Sequence, residues 1–349
     1  VKDNKAKILV IRLSAMGDCA MIVPVLQRLI HSYPELQLHL LTKSFFVPIF
    51  EILPQKNLKI IAVDTNNEHK GFFGILKLSK QLKKYNFARI ADLHDVLRSK
   101  IIRHYLDFPG KKTAVINKGR KEKKALTRLK NKEFKALKTT PQRYVEVFER
   151  LGFTIDLQEK LNLEKPELST KIISLVGNSD QFWIGIAPFA AHESKIYPLD
   201  LMEKIISELD KTHKVKILLF GGGKKEVDAL SKIGNQYEHV VSIAGKLTFK
   251  EELDLISHLD LMVSMDSGNG HLAALFDIPV LTLWGSTHPY AGFAPFNQPK
   301  ENQFLPDLEK YPLLPLSVYG NKEISGYEDV MRTILPEGII ERIREILNF

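Results

Sequence analysis

The feature that most constrains this chain is a repeated alternation of short apolar runs with amphipathic stretches. Residues 7–13 form a β-branched run, and residues 18–32 follow with apolar positions at helical spacing: Ile22, Val25, Leu26, Leu29 and Ile30. Residues 36–41, 59–63 and 88–93 are the next strand candidates, with helices expected over 74–84 and 96–105. Such alternation predicts parallel βαβ units with right-handed crossovers. A helix is expected over 142–151, stopping at Gly152.

A second series then begins. Strands are expected over 184–187, 215–220, 240–243, 261–265 and 280–284, and helices over 199–209, 225–233, 250–258 and 270–276. A chain of 349 residues fits two domains. The expected fold class is therefore α/β, with two Rossmann-like domains whose parallel sheets face a central cleft. The domains are placed at residues 1–160 and 176–325. The strand-poor stretch 157–180, with Pro166 and Asn178, is read as the linker. Ligands of such sheets bind beyond the carboxyl ends of the strands, so segments 14–18, 188–195, 221–226, 266–271 and 285–288 are the candidate lining.

Composition narrows the function classes. The single cysteine, Cys19, excludes an internal disulfide framework, and no Cys/His spacing matches a structural zinc site. No run approaches the length of a membrane span, and Val1-Lys2-Asp3-Asn4 lacks a signal-peptide core, so a cytoplasmic protein is expected. The net charge of +9 is concentrated: residues 111–138 hold twelve Lys/Arg against Glu122 and Glu133, a local +10. This patch reads equally as a solvated helix face or as a docking surface for an anionic partner. Helix-turn-helix, RNP and finger patterns are absent, which argues against nucleic acid.

Several turns could carry chemistry. In Ser14-Ala15-Met16-Gly17-Asp18, Gly17 permits a tight turn, and Asp18 is either a helix cap or a general base. Cys19 reads as a small buried side chain. In the run from Asp266 to Ala274, small residues allow close backbone approach and a helix start could face an anion. Asp266 could accept from sugar hydroxyls and His271 could donate to a phosphate. Gly268, Gly270 and Ala273 also fit G-x-G-x-x-A, but no acidic residue follows at the spacing a dinucleotide site needs. Lys195 precedes Pro198 at a helix start and is either a phosphate contact or a surface lysine. Gly221-Gly222-Gly223 lacks the Gly-Lys-Ser/Thr end of a P-loop; Glu226 beyond it faces a ligand or caps a helix. Asp92-Leu93-His94 ends a strand, with Arg98-Ser99 in the turn beyond.

In this order, the motifs resemble glycosyltransferase family 9, the ADP-heptose:lipopolysaccharide heptosyltransferases of the GT-B fold. The resemblance rests on Ile11-Arg12-Leu13-Ser14-Ala15-Met16-Gly17-Asp18 with Pro24, and on Pro188 through Lys195 to Pro198. It rests further on Ala244-Gly245 with the helix after it, and on Asp266-Ser267-Gly268, His271, Ala273-Ala274 and Gly285-Ser286-Thr287 with Pro289. It spans residues 7 to about 295. Departures are Phe189 where the family has Gly, Tyr197 where it has Trp, and Ser286 in a Gly-Pro-Thr turn.

The resemblance implies an inverting, metal-independent transfer of heptose from an ADP-sugar to a lipopolysaccharide inner-core acceptor, without a cofactor. Asp18 would be the base. Lys195, Asp266, Ser267, Gly268 and His271 would bind the donor, with Glu226 at the ribose and Leu247 near the adenine. Arg98, Lys121, Lys123 and Lys124 would meet an anionic glycolipid of Kdo-lipid A type. The expected place is the cytoplasmic face of a Gram-negative inner membrane, in peripheral contact and without nucleic acid. The last helix, with residues 336–349, would return to the first domain. Alternatives left open are a GT-B transferase with another nucleotide sugar and an inactive nucleotide-sugar-binding homologue; an NAD(P) oxidoreductase is the rival from another class.

Overall fold

The computed structural model describes residues 7–107, 111–158, 161, 163–177 and 180–349. The readings of Val1-Lys2-Asp3-Asn4 and of Asn178 lie outside these residues. In chain order the elements are β1 (Lys7–Ile11), α1 (Met16–Ala20), α2 (Val23–Ser32), β2 (Gln37–Lys43), α3 (Val47–Glu51), β3 (Leu58–Val63), α4 (Gly71–Lys83), β4 (Arg89–Asp92), α5 (Leu97–Leu106), β5 (Lys112–Val115), α6 (Arg120–Leu126), α7 (Thr140–Arg150) and α8 (Thr170–Val176). They continue with β6 (Phe182–Ala187), α9 (Leu199–Asp210), β7 (Val215–Leu219), α10 (Lys224–Gly234), β8 (Val240–Ser242), α11 (Phe249–Ile256), β9 (Leu261–Met265), α12 (Gly268–Ala274), β10 (Val280–Leu283), β11 (Gln303–Phe304) and α13 (Pro336–Leu347).

The chain divides into two units, Val1–Lys118 with Thr140–Leu163, and Gly119–Thr139 with Glu164–Phe349. The first holds a five-stranded sheet of order β3-β2-β1-β4-β5. Its pairs are parallel, with Ile8 opposite Leu38 on one side and Arg89 on the other. The order reverses between β1 and β4, where ligands of such sheets bind. One face packs Leu9, Ile11, Ile90, Leu78 and Ile102 into a core. Each such side chain contributes about 1.5–3 kcal/mol of burial.

The second unit holds a six-stranded parallel sheet of order β11-β10-β9-β6-β7-β8, reversing between β6 and β9. Its core runs from Ile184 and Ile186 on β6 through Ile205, Ile206 and Leu209 on α9 to α13.

The structure corrects several expectations. The helix expected over 18–32 is broken into α1 and α2, with Pro24 in the first turn of α2, where its missing N–H costs nothing. The edge strand β5 escaped sequence reading because Lys112 and Thr113 are exposed and it carries no apolar run. The stretch read as a linker contains α8, capped by Ser169. Residues 119–139 belong with the second unit and not with the first, so the 1–160 boundary moves. Finally, α13 packs on α9 and is grouped with the second unit. Its stripe of Ile339, Ile340, Ile343 and Leu347 has helical spacing and completes that unit's core.

Candidate active site

In the first unit, the apolar strand β1 ends at Ile11 and the chain immediately presents a buried cation, Arg12, only 5% exposed. A buried guanidinium needs a carboxylate and acceptors. One Nη of Arg12 donates to the Leu93 carbonyl at 2.7 Å, and the other pairs with the Asp18 carboxylate. Its face lies 5.9 Å from the ring of fully buried Tyr144, whose hydroxyl donates to the Asp18 carbonyl at 3.2 Å. Burial opposes the charge of Arg12, and the neighbouring Tyr144 and then Asp18 outweigh it, so its pKa is raised.

Asp18 sits at the third position of α1 and accepts weakly from the Ala15 N–H at 3.4 Å. Asp18 thus makes the helix-start contact that its reading as a cap expects, and its side chain stays 26% exposed. Gly17 lies inside α1, so the expected tight turn is instead a first helical turn. Cys19 is buried, which pushes its thiol up to about 12 and keeps it un-ionised, as its reading as a packing residue requires.

His94 closes this end of the sheet. Its Nδ1 accepts from the Leu13 N–H at 3.3 Å, which places the proton of a neutral ring on Nε2, 3.5 Å from Ser14 Oγ. Burial first, and then Arg12, Lys118, Lys43 and Arg98, lower its pKa to about 3. Asp92 Oδ1 anchors the turn by accepting from the N–H groups of His94 and Asp95. Arg98 is exposed on the first turn of α5. Sequence reasoning gave Arg12 and His94 no role, and it missed Tyr144; a charged residue directly after an apolar strand was the available signal.

In the second unit, the carboxyl ends of the strands gather the donor candidates. Lys195 follows β6 and donates from Nζ to the Asp266 carbonyl at 2.6 Å and to its carboxylate at 3.3 Å. Asp266 follows β9, and its Oδ2 also accepts from Thr287 Oγ1 at 2.9 Å. Both charged side chains are only 11% exposed. Lys195 is therefore no ordinary surface lysine. Ser267 is the residue before α12, Gly268 opens the helix, and His271 is buried within it.

The family departures have local structural settings. Ser286 shares a 2.6 Å hydrogen bond with Ser194 Oγ, and its N–H donates to the Ser194 carbonyl at 2.9 Å. A Cβ at Gly285 would lie 2.1 Å from that same carbonyl, so only glycine lets the two turns touch. Tyr197 is buried and donates to the Ile334 carbonyl at 2.7 Å. Phe189 packs against the unit's core.

Farther along the same sheet edge, Glu226 in the first turn of α10 accepts from the Gly222 N–H at 2.7 Å. Its carboxylate therefore closes the glycine turn as well as facing solvent. Leu247 is half-buried in the turn after β8, before the Thr248 cap of α11. From β10 to β8, the edge thus carries Thr287, Asp266, Lys195, Glu226 and Leu247 in that order.

The basic segment is corrected in part. Lys121, Lys123 and Lys124 lie on α6, in the second unit, whereas Arg98 lies in the first. Lys121 and Lys124 are exposed. Lys123 is buried, with Nζ 4.0 Å from the centre of the Phe293 ring, so it serves packing and not a free docking surface. Lys132 is also turned inward. It donates to the Leu313 carbonyl and, at 3.1 Å, to that of Pro315, and burial lowers its pKa to about 8.

Comparison with known proteins agrees with this architecture. The sequence profile of glycosyltransferase family 9 (heptosyltransferase) matches residues 75–314. The chain is 24% identical to lipopolysaccharide heptosyltransferase 1 of Campylobacter coli over 98% of its own length and 99% of that protein's. Its fold is similar to that of a glycosyl transferase family 9 protein from Veillonella parvula DSM 2008, with a TM-score of 0.76, 16% identity, and 100% and 99% of the two chains covered. It is likewise similar to E. coli heptosyltransferase WaaC with ADP, with a TM-score of 0.67, 17% identity, and 97% and 99% covered. Two parallel α/β sheets of GT-B type and a profile match over most of the chain lead to one conclusion: this protein is a glycosyltransferase and belongs to family 9, the heptosyltransferases.

Proposed function

We propose that this enzyme moves a heptose from ADP-heptose to an inner-core sugar of lipopolysaccharide, with inversion and without a metal. The observation that carries the mechanism is the part-exposed Asp18 carboxylate, held by Arg12 at the carboxyl end of β1. The similarity to a lipopolysaccharide heptosyltransferase supports the acceptor class, and the similarity to WaaC, solved with ADP, supports the donor class.

In this reading, the first unit supplies the base and the second binds the donor. An acceptor hydroxyl attacks the anomeric carbon, its proton passes to Asp18, and the bond from that carbon to the diphosphate oxygen breaks. ADP leaves with the bonding electrons. A single displacement of this kind inverts the centre. Arg12 pairs with the carboxylate and aims it, while neutral His94 adds no competing charge. Lys195 has three N–H donors, of which two go to Asp266, and the third is available to the leaving diphosphate. His271, Ser267 and Gly268 complete the phosphate and sugar contacts, Glu226 the ribose and Leu247 the adenine. In this reading Arg98, Lys121 and Lys124 are the candidate contacts of the anionic acceptor or the lipid surface, and the enzyme works peripherally at a membrane face. Among the described residues, no helix is long and apolar enough to cross a membrane.

Calorimetric titration with ADP, GDP, UDP and NAD in EDTA tests the donor. Selective ADP binding that disappears in Lys195→Ala supports the reading, followed by heptosyl transfer in EDTA. Preference for UDP or GDP moves the donor to another nucleotide sugar, and preference for NAD overturns it. Charge reversal at Lys121 and Lys124 is expected to weaken acceptor or anionic-vesicle binding and to spare ADP.

A further inference from the structure

The second unit carries a cluster that the transfer reaction does not use. His213 immediately precedes the lysine before β7, and Glu238-His239 immediately precedes β8. These strands are neighbours in the sheet and run parallel, so their starts lie side by side. The ligand-type atoms of His213, Glu238 and His239 all lie within 4.8 Å of one another. His213 Nδ1 and His239 Nε2 are 2.8 Å apart, with the rings at 87°.

The backbone under both imidazoles is anchored. The His213 N–H donates to the Asp210 carbonyl at 3.1 Å, and its own carbonyl accepts from Gln181 Nε2 at 3.1 Å. The His239 N–H donates to Asp210 Oδ1 at 2.8 Å, and its carbonyl accepts from the Ile217 N–H at 2.8 Å. One acidic residue at the end of α9 thus holds both histidines. Two imidazole nitrogens and a carboxylate are the donor set that zinc and its first-row neighbours prefer over calcium or magnesium.

We propose that His213, Glu238 and His239 form an accessory site for one divalent transition ion of the zinc type. The ion would pin the starts of β7 and β8 together. Ion–nitrogen bonds of about 2.0–2.1 Å at a tetrahedral angle require the two nitrogens to sit roughly 3.3 Å apart. The rings need to open by only about half an ångström from their hydrogen-bonded separation. His213 and Glu238 are exposed and His239 half-buried, so an ion has access and a water can fill the remaining position. The site lies at the amino ends of β7 and β8. Gly222, Glu226 and Leu247 lie beyond the carboxyl ends, on the order of 15 Å away along a five-residue strand. Its role is structural, separate from donor binding.

The test is titration of the full chain with zinc chloride alone, by calorimetry in a non-chelating buffer, with thermal unfolding in parallel. One saturable ion is expected, raising Tm. The double variant His213→Ala/His239→Ala is expected to weaken binding by at least about 10-fold and to abolish the Tm rise. Glu238→Lys, on an exposed residue, places a cation in the site and is expected to do the same while the unfolding profile without zinc stays that of the parent chain. Cobalt(II) in place of zinc is expected to show intense visible bands of a four-coordinate ion in the parent chain only. Zinc binding of equal stoichiometry and affinity in both variants overturns the site, as does the absence of saturable binding in the parent chain below about 1 mM, a weak limit by affinity arithmetic. In either case the pair is only a surface hydrogen bond.

Discussion

Asp18 in the first unit and Asp266 in the second occupy equivalent places, each beyond the carboxyl end of a central strand at its sheet's switch point. Each is held by a cation largely withdrawn from solvent, Arg12 or Lys195. They differ in how much of the carboxylate is left. The Asp18 side chain is 26% exposed, and its neighbours at hydrogen-bonding range are one guanidinium and a distant backbone N–H. Asp266 is 11% exposed and is taken up by Lys195 and Thr287. Under the proposed transfer, the first would receive the acceptor's proton, and the second would hold the lysine that meets the diphosphate.

The sharpest way to break this comparison is Asp18→Asn. The amide keeps the shape and loses the basicity, so turnover is expected to fall by about 10²–10⁴-fold. ADP affinity by calorimetry should stay unchanged. Turnover within a few-fold of the parent enzyme would make Asp18 only a helix-start contact.

Lys195→Met is expected to act on the other side, weakening ADP by about 10–100-fold, the range of a lost charge-assisted hydrogen bond. Loss of turnover at saturating donor should be smaller than for Asp18→Asn. An unchanged ADP affinity would reduce Lys195 to a partner of Asp266.

Glu252 supplies a third carboxylate for contrast, one that burial alone acts on. Burial pushes it up from the ordinary 4.5 to about 7. Below about pH 4.5 it is neutral in both folded and unfolded chains. Between there and about pH 7 the folded chain holds the proton more tightly, so stability falls as pH rises. Above pH 7 the penalty is complete. Glu252→Gln is therefore expected to raise stability at pH 8 by about 1–3 kcal/mol and to leave it nearly unchanged at pH 4.5. Denaturant unfolding at the two pH values measures the difference, and an equal effect at both would exclude the ionisation as its cause.

Tyr144→Phe is the mildest change. It removes the hydrogen bond to the Asp18 carbonyl and is expected to cost about 1 kcal/mol of stability. Turnover should fall less than in Arg12→Met, which leaves Asp18 without its cation. Equal turnover losses in the two would mean that backbone placement, and not charge, sets the reactivity of Asp18.

Much of this was legible in the residues themselves. The alternation of β-branched runs and helical spacing is a local property, so the strands appear within a residue or two of where pattern placed them; residues 261–265 coincide with β9. The ordered turns after those strands also carry Asp18, Lys195 and Asp266, because a parallel sheet sends every such turn to one edge. What the pattern could not contain is which buried groups meet across the sequence. Arg12 finds Leu93 and Tyr144, Lys123 finds Phe293, and Lys132 finds Leu313, each across a gap no periodicity encodes. Charge in a sequence is a count, whereas charge in a fold depends on desolvation and on the one partner within reach. The sequence by itself determined the central strands of the two sheets, the turns after them and the residue types those turns carry. Tertiary structure alone decided that two lysines of the basic run are structural, that α13 completes the second core, and that two histidines and a glutamate share one corner of it, because those outcomes depend on contacts between residues distant in the chain.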